Sequence, residues 1–115
     1  MRRKNLDFAK GFRLALANAR SQAAEMVLAP GDKEGDSGNY HRGRDQWLFV
    51  VSGTGTAKIN GKKYPLSEGS LLLIEKKDRH EIMAVGSESL KTLNIYVPPA
   101  YEDEETPLWS GKPGG

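Results

Sequence analysis

The residue types that could bind a metal ion in this chain are imidazoles and amides, because the sequence contains no cysteine and only two histidines. These are His41 and His80, and Gln46 follows the first of them. Two imidazoles and one amide oxygen would fill about half of an octahedral shell and leave the rest to water or substrate. The alternative is that both histidines are half-exposed at strand ends and that Gln46 only hydrogen-bonds a loop.

The segments around these residues have the patterns of β-strands. Residues 47–51 are aromatic and β-branched, residues 56–59 alternate, and Asn60-Gly61 is a strong two-residue hairpin signal. Strands at this spacing are typical of a sandwich or a barrel, in which both histidines and Gln46 can point into one mouth. Further short strands are predicted over 62–66, 70–74, 81–85 and 90–97.

The N-terminal third is ambiguous. The apolar residues of 6–29 partly fit a helical stripe, but alternation over 12–16 and 22–28, with a turn at 18–20, favours strands. Residues 31–39 are rich in Gly and Asp and are predicted to be a loop. The predicted core consists of Leu28, Leu48, Val50, Ile59, Leu71, Leu73, Ile82, Leu93, Ile95 and Val97.

These residues resemble the two motifs of the cupin family. In the first motif, Gln46 and Gly53 match the spacing between its glutamate and its glycine, and Asn39 and His41 fall on its two histidine positions. In the second motif, Gly69 and His80 match its first glycine and its histidine. The motif's proline and second glycine are replaced by Glu75 and Lys77.

The resemblance implies an all-β, double-stranded β-helix or jelly-roll barrel, usually dimeric, with a metal inside. It places the metal ligands at His41, Gln46 and His80, with Asn39 completing or capping the site. A glutamine oxygen binds a hard cation less well than a carboxylate does, and asparagine is a poorer replacement for imidazole. Some cupins that resemble this chain in having glutamine there still bind metal. The expected cofactor is one divalent transition metal ion, from among Zn, Ni, Fe, Mn and Cu.

Neighbouring residues have simpler explanations. Glu81 alternates to the face opposite His80 and is not expected to be a ligand. Aromatic residues on the strands fit the core or a sheet face. Four residues flank the predicted mouth and would meet either an anionic ligand or solvent: Tyr40, Arg42, Arg44 and Arg79.

Length and composition limit the possible domain organisation, location and binding partners. The 115 residues suit one core, no apolar run is long enough to span a bilayer, and the basic start lacks the apolar region of a secretory signal, so a cytoplasmic location is expected. Mixed charges with a net +2 argue against nucleic-acid binding. The expected organisation is an N-terminal extension over 1–11, a barrel over 12–97 and a polar, flexible tail over 98–115.

Three functions remain open at this point. The first is a metal-binding cupin that binds or acts on a small polar molecule such as a sugar acid or a keto acid, with catalysis undecided. The second is a metal-free, non-catalytic binding module. The third is a protein-interaction module in which Leu108 and Trp109 dock onto a partner. A homodimer is expected, formed by the apolar segment before Asn18 adding to a neighbour's sheet edge.

Overall fold

The computed structural model describes the backbone of residues 1–40, 43–103 and 106–107 and the side chains of residues 1–35 and 43–102. The expectations for the side chains of Asn39 and His41, and for Leu108 and Trp109, lie outside these residues. None of the described residues forms a helix able to cross a membrane. The described strands are β1 Gly11–Ala17, β2 Gln22–Leu28, β3 Lys33–Tyr40, β4 Asp45–Ser52, β5 Thr54–Ile59, β6 Lys62–Leu66, β7 Leu71–Ile74, β8 Arg79–Val85, β9 Leu90–Val97, β10 Tyr101–Asp103 and β11 Thr106–Pro107.

Antiparallel pairing of the described strands builds two main sheets. One has five strands in the order β1-β2-β9-β4-β7, and the other has four in the order β3-β8-β5-β6. Both sheets contribute to one apolar cluster, which confirms the predicted all-β fold class. The buried members of that cluster are Met26, Leu28, Leu48, Val50, Ala57, Leu66, Ile82, Ala84 and Leu90.

The turns form where the sequence predicts them. Asn60 and Gly61 both have positive φ, at 51° and 85°, as a two-residue hairpin between β5 and β6 requires. At the other predicted turn, the Asn18 side-chain oxygen accepts hydrogen bonds from the backbone N–H groups of Arg20 and Ser21, at 2.8 and 2.9 Å. The strand interpretation of residues 11–28 is therefore confirmed.

The predicted loop over 31–39 is wrong. Residues 33–40 form β3, which pairs with β8 from Lys33 opposite Met83 to Tyr40 opposite Arg79, with a register shift after Gly35. Gly- and Asp-rich composition disfavours a strand locally, but hydrogen bonds to the neighbouring strand override that preference.

Part of the predicted core is also wrong. Leu71 is 62% exposed, Leu73 is 41% exposed and Val97 is 42% exposed, so these side chains point outward. Leu93 and Ile95 are only half-buried, because they alternate with the inward-facing residues of β9. The sequence pattern predicts the alternation along β7 and β9 correctly, but on both strands the residues that face inward are those between the predicted core residues.

Candidate ligand-binding site at the polar end of the barrel

One end of the barrel interior is lined by polar side chains. Gln46, at the start of β4, faces inward and is 2% exposed. It lies opposite Ile74, the last residue of β7. A short turn over 75–78 leads from there to His80, which also faces inward and is 3% exposed. The fold therefore brings Gln46 and His80 to the same end of the interior.

A chain of hydrogen bonds holds the Gln46 amide in one orientation. Its Nε2 donates to Asn94 Oδ1 at 2.8 Å, Asn94 Nδ2 donates to Thr92 Oγ1 at 3.0 Å, and Thr92 Oγ1 donates to the Met26 carbonyl at 2.7 Å. Asn94 and Thr92 are fully buried on β9. Because Nε2 is turned to Asn94, the carbonyl oxygen of Gln46 points elsewhere, and only that oxygen can bind a cation.

His80 owes its inward position to strand alternation. Its neighbour Arg79 is exposed, and Glu81 faces outward, where Lys33 Nζ lies 3.1 Å from Glu81 Oε2. The expectation that Glu81 lies on the face opposite His80 is therefore confirmed. With its charge paired on the outer surface, Glu81 has no part in the interior site.

Two tyrosines pack together at the polar end. The ring centroids of Tyr96 and Tyr101 are 5.5 Å apart in an edge-to-face arrangement, and their hydroxyls hydrogen-bond. Burial raises the pKa of Tyr96 well above its ordinary value, and the nearby Tyr101 and Glu34 raise it further. Burial also raises the pKa of Tyr101. Both phenols therefore stay neutral near pH 7.

Gln22 anchors the segment that carries Tyr101. Its Oε1 accepts hydrogen bonds from the backbone N–H groups of Ala100 and Tyr101, at 3.0 and 2.9 Å, and its Nε2 donates to the Tyr101 carbonyl at 2.8 Å. Tyr101 also packs on Phe12, with ring centroids 4.7 Å apart. The start of the segment expected to be a polar tail is thus attached to the barrel.

Arg44 lies beside this end of the barrel and is only 6% exposed. Its Nε has no hydrogen-bond partner among the residues that the structure describes. Burial lowers the pKa of the guanidinium, and the neighbouring Tyr101 opposes that shift. A positive charge this close to the interior favours anionic over cationic molecules nearby.

Only part of the expected metal site can be placed. Gln46 and His80 are both buried at the same end of the interior, whereas the side chains of Asn39 and His41 lie outside the described residues. Within the described part of the chain, no three His, Cys, Asp or Glu side chains cluster in a way that could hold a metal ion. The two donors in place are an imidazole and an amide, which suit a transition metal better than Ca²⁺ or Mg²⁺.

Several residues of this end were not identified from the sequence. Asn94 and Thr92 were overlooked because Leu93 and Ile95 on the same strand fit the core better. The only available signal was the run of polar residues alternating with them. Tyr101 lies beyond the last strong strand pattern. Arg44 is expected from the sequence to flank the mouth and to meet an anionic ligand or solvent, but its burial is not expected.

The comparisons with known proteins agree with this architecture. A family model described as a cupin domain matches residues 24–96. A search of curated protein sequences gave no match. A protein from Bacillus halodurans has a similar structure, with a TM-score of 0.75 and 20% identity over 83% of this chain and 75% of that one.

Two other solved structures are also similar to this chain. The first is KdgF from Halomonas sp., with a TM-score of 0.69 and 22% identity over 76% of this chain and 77% of that one. The second is a Thermotoga maritima protein described as a predicted oxalate decarboxylase, with a TM-score of 0.69 and 24% identity over 76% and 79% of the two chains. At these identities the likeness shows the fold alone.

Proposed function

The chain belongs to the cupin family, and on that premise we propose that it binds a small polar molecule, such as a sugar acid or a keto acid, at the polar end of its barrel. The observation that carries this proposal is that Gln46 and His80 are both buried at the polar end of the barrel interior, where Asn94 and Thr92 are buried as well. Buried polar groups cost free energy, so such a cluster is expected where a ligand is recognised.

In the proposed site, His41, Gln46 and His80 hold one divalent transition metal ion, with Asn39 completing or capping it. When bound, the metal would supply a Lewis acid with open positions that can polarise a carbonyl or an enediol. The chain itself orients the Gln46 side chain. Because Gln46 Nε2 donates a hydrogen bond to Asn94 Oδ1, the Gln46 carbonyl oxygen points away from Asn94. The similar Thermotoga maritima protein, described as a predicted oxalate decarboxylase, supports a cupin that takes a small ligand.

The tyrosines and Arg44 suit a ligand with oxygen atoms. Neutral hydroxyls can donate to a carbonyl or carboxylate oxygen, and the Arg44 charge favours an acid. Outside the candidate ligands, Glu34 is a carboxyl group near Tyr96 and Tyr101, and burial raises its pKa. The proposal is for binding, and activity measurements decide whether a reaction follows.

The metal content of protein purified without an affinity tag tests this proposal. We expect about one transition metal ion per chain, bound less tightly at acidic pH because imidazole must be neutral to bind metal. Replacing His80 by alanine should abolish binding while leaving the protein folded.

Glu81→Gln is the matched control, because residue 81 is adjacent to His80 but faces outward. It should keep the metal. An H80A protein that retains the metal in full would contradict the site.

A second candidate function is a metal-free binding module. The observation that favours it is the Gln46–Asn94–Thr92 chain, which uses the Gln46 amide in a hydrogen-bond network of the protein itself. If the wild-type protein holds no metal after incubation with Zn²⁺, Ni²⁺ and Mn²⁺, this second function replaces the first.

A further inference from the structure

An apolar cleft lies along the seam between the two sheets, and we call it the seam cleft. Among the described strands, β6 is one edge of the four-stranded sheet and β7 is one edge of the five-stranded sheet. The cleft between them has a volume of about 460 Å³, within the range of roughly 300–1,000 Å³ that is usual for small-molecule pockets. Its lining includes Ile59, Tyr64, Leu66, Leu71, Leu72 and Leu73.

The floor of the seam cleft belongs to the apolar core. Ile59 and Leu72 are partly buried and pack against the core cluster, of which Leu66 is a buried member. Tyr64 and Leu71, by contrast, are 42% and 62% exposed. A cleft with an apolar floor and exposed apolar walls suits a molecule that buries a hydrocarbon portion, because removing apolar surface from water is favourable in proportion to its area.

The strand register places a positive charge at one end of the seam cleft. Lys62 lies opposite Ile59 in the β5–β6 pair, so both side chains are on the same side of the sheet. Tyr64 lies opposite the fully buried Ala57 and is on that side as well. The Lys62 Nζ is 5.5 Å from the centroid of the Tyr64 ring. The inner side of β6 therefore runs from a cation at Lys62, through Tyr64, to the buried Leu66.

The Lys62 ammonium group is accessible to an anion. Lys62 is exposed, and no carboxylate in the described part of the chain forms an ion pair with it. Asp78 lies beside the same hairpin, but its two carboxylate oxygens accept hydrogen bonds at 2.9 Å from Asn60 Nδ2 and from the Glu75 N–H. An anionic group at this end of the cleft would therefore meet a cation that lies against a ring face rather than in an ion pair.

The length of the seam cleft limits the size of the molecule that fits it. From Lys62 to Leu66, β6 extends over about 13 Å, at about 3.3 Å per residue. An extended hydrocarbon chain advances about 1.3 Å per carbon atom, so a chain of roughly eight to ten carbons would span the same distance.

We propose that the seam cleft binds a free medium-chain carboxylic acid, with its hydrocarbon chain between β6 and β7 and its carboxylate at Lys62. An apolar lining with one cation at its end favours an amphiphile with a single negative charge over a neutral lipid or a polar molecule. His80 lies on β8, one strand further from the seam than Ile59, and does not line the cleft. This site therefore does not depend on the proposed function.

Isothermal titration calorimetry with sodium decanoate at pH 8, below its micelle-forming concentration, tests this site. The wild-type protein should bind about one decanoate per chain, and should bind 1-decanol, which has no charge, more weakly. Lys62→Glu should weaken decanoate binding at least about 10-fold, because attraction becomes repulsion, and should change 1-decanol binding less than about 2-fold. Lys63→Glu is the matched control, since Lys63 lies opposite Lys58 on the outer face, and it should bind decanoate like the wild type.

A second pair of variants tests the apolar wall. Tyr64→Ser should weaken the binding of both decanoate and 1-decanol at least about 10-fold, because the ring contributes apolar surface to the cleft. Val85→Ser is its control, since Val85 is 38% exposed on β8 and does not line the cleft. His80→Ala should bind decanoate like the wild type.

Three results would overturn the proposal, with circular dichroism confirming that each variant is folded. One is a wild-type protein that shows no saturable binding up to about 1 mM decanoate, even if a peptide or a second copy then proves to cover the cleft. Another is an equal loss in K62E and K63E, which would show a general effect of charge. The third is loss of decanoate binding in H80A, which would place the acid at the proposed metal site instead.

Discussion

At the polar end of the barrel, individual residues keep their polar atoms inside by bonding to one another. Gln46, Asn94 and Thr92 form a line that ends on a backbone carbonyl of β2. Tyr96 and Tyr101 do the same through their hydroxyls. Such internal partners remove most of the cost of burial, which explains how a half-polar interior coexists with a stable fold.

Tyr96 gives a prediction in alkaline solution. Its pKa is raised in the folded protein but is near 10.0 when unfolded. As the pH rises above about 10, the unfolded chain therefore loses its proton first and stability falls. In Tyr96→Phe this contribution is absent, so stability should decline less steeply above pH 10. At pH 8 the variant should be less stable by about 1 kcal/mol, from the lost hydrogen bond.

Urea unfolding midpoints measured between pH 8 and about pH 11.5 check this expectation. Tyr64→Phe is the control, because that ring is 42% exposed on β6. It should follow the wild-type slope. A Y96F protein as alkali-sensitive as the wild type would contradict the buried, neutral phenol.

At the scale of the elements, two glycines of the cupin motifs have different structural roles. Gly53 joins β4 to β5 with φ at +93°, and a Cβ there would collide with the carbonyl oxygen of Ser89. Gly69 precedes β7 with φ at +91° but has open space around it. Both positions need a left-handed backbone, and only Gly53 also needs the absence of a side chain.

Alanine at these two positions should therefore have unequal effects. Gly53→Ala should lower the free energy of unfolding by about 3 kcal/mol or more, because strain and collision add. Gly69→Ala should cost only about 1 kcal/mol from the backbone conformation. Urea denaturation of both variants measures the difference. Equal losses of stability would mean that the backbone at Ser89, between β8 and β9, moves away from residue 53 easily and that the collision costs little.

At the scale of the whole molecule, the five-stranded sheet has two faces with separate roles. Its inner face carries Gln46, Asn94 and Tyr96, and its outer face carries Trp47 and Phe49 on the same strands. Alternation along β4 therefore places a buried polar residue next to an exposed apolar one. The sheet separates the proposed ligand site from the exposed apolar residues of its outer face.

This separation predicts that a change on the outer face leaves the site intact. Leu71→Glu should keep the same metal content per chain as the wild type, because Leu71 is 62% exposed on the edge strand β7. His80→Ala should lose the metal. Metal analysis of both folded variants checks this prediction, and loss of the metal in L71E would show that the outer face supports the site.

The local patterns of the sequence identified most of the strands. Asn60-Gly61 requires positive φ and forms its hairpin without help from distant residues. The Gln46–Gly53 and Gly69–His80 spacings identified the family, and the family model over residues 24–96 agrees with that resemblance. The sequence also predicts that Gln46 and His80 lie at strand starts and point inward, and both side chains are buried there.

The tertiary structure alone decided which face of a strand is inside. On β9, Leu93 and Ile95 alternate with Thr92 and Asn94, and a period of two fits either set equally well. The polar set lies inside because Gln46 and a β2 carbonyl supply hydrogen bonds to it, and these partners are distant in sequence. The strand of residues 33–40 likewise exists because β8 pairs with it, which no local propensity encodes.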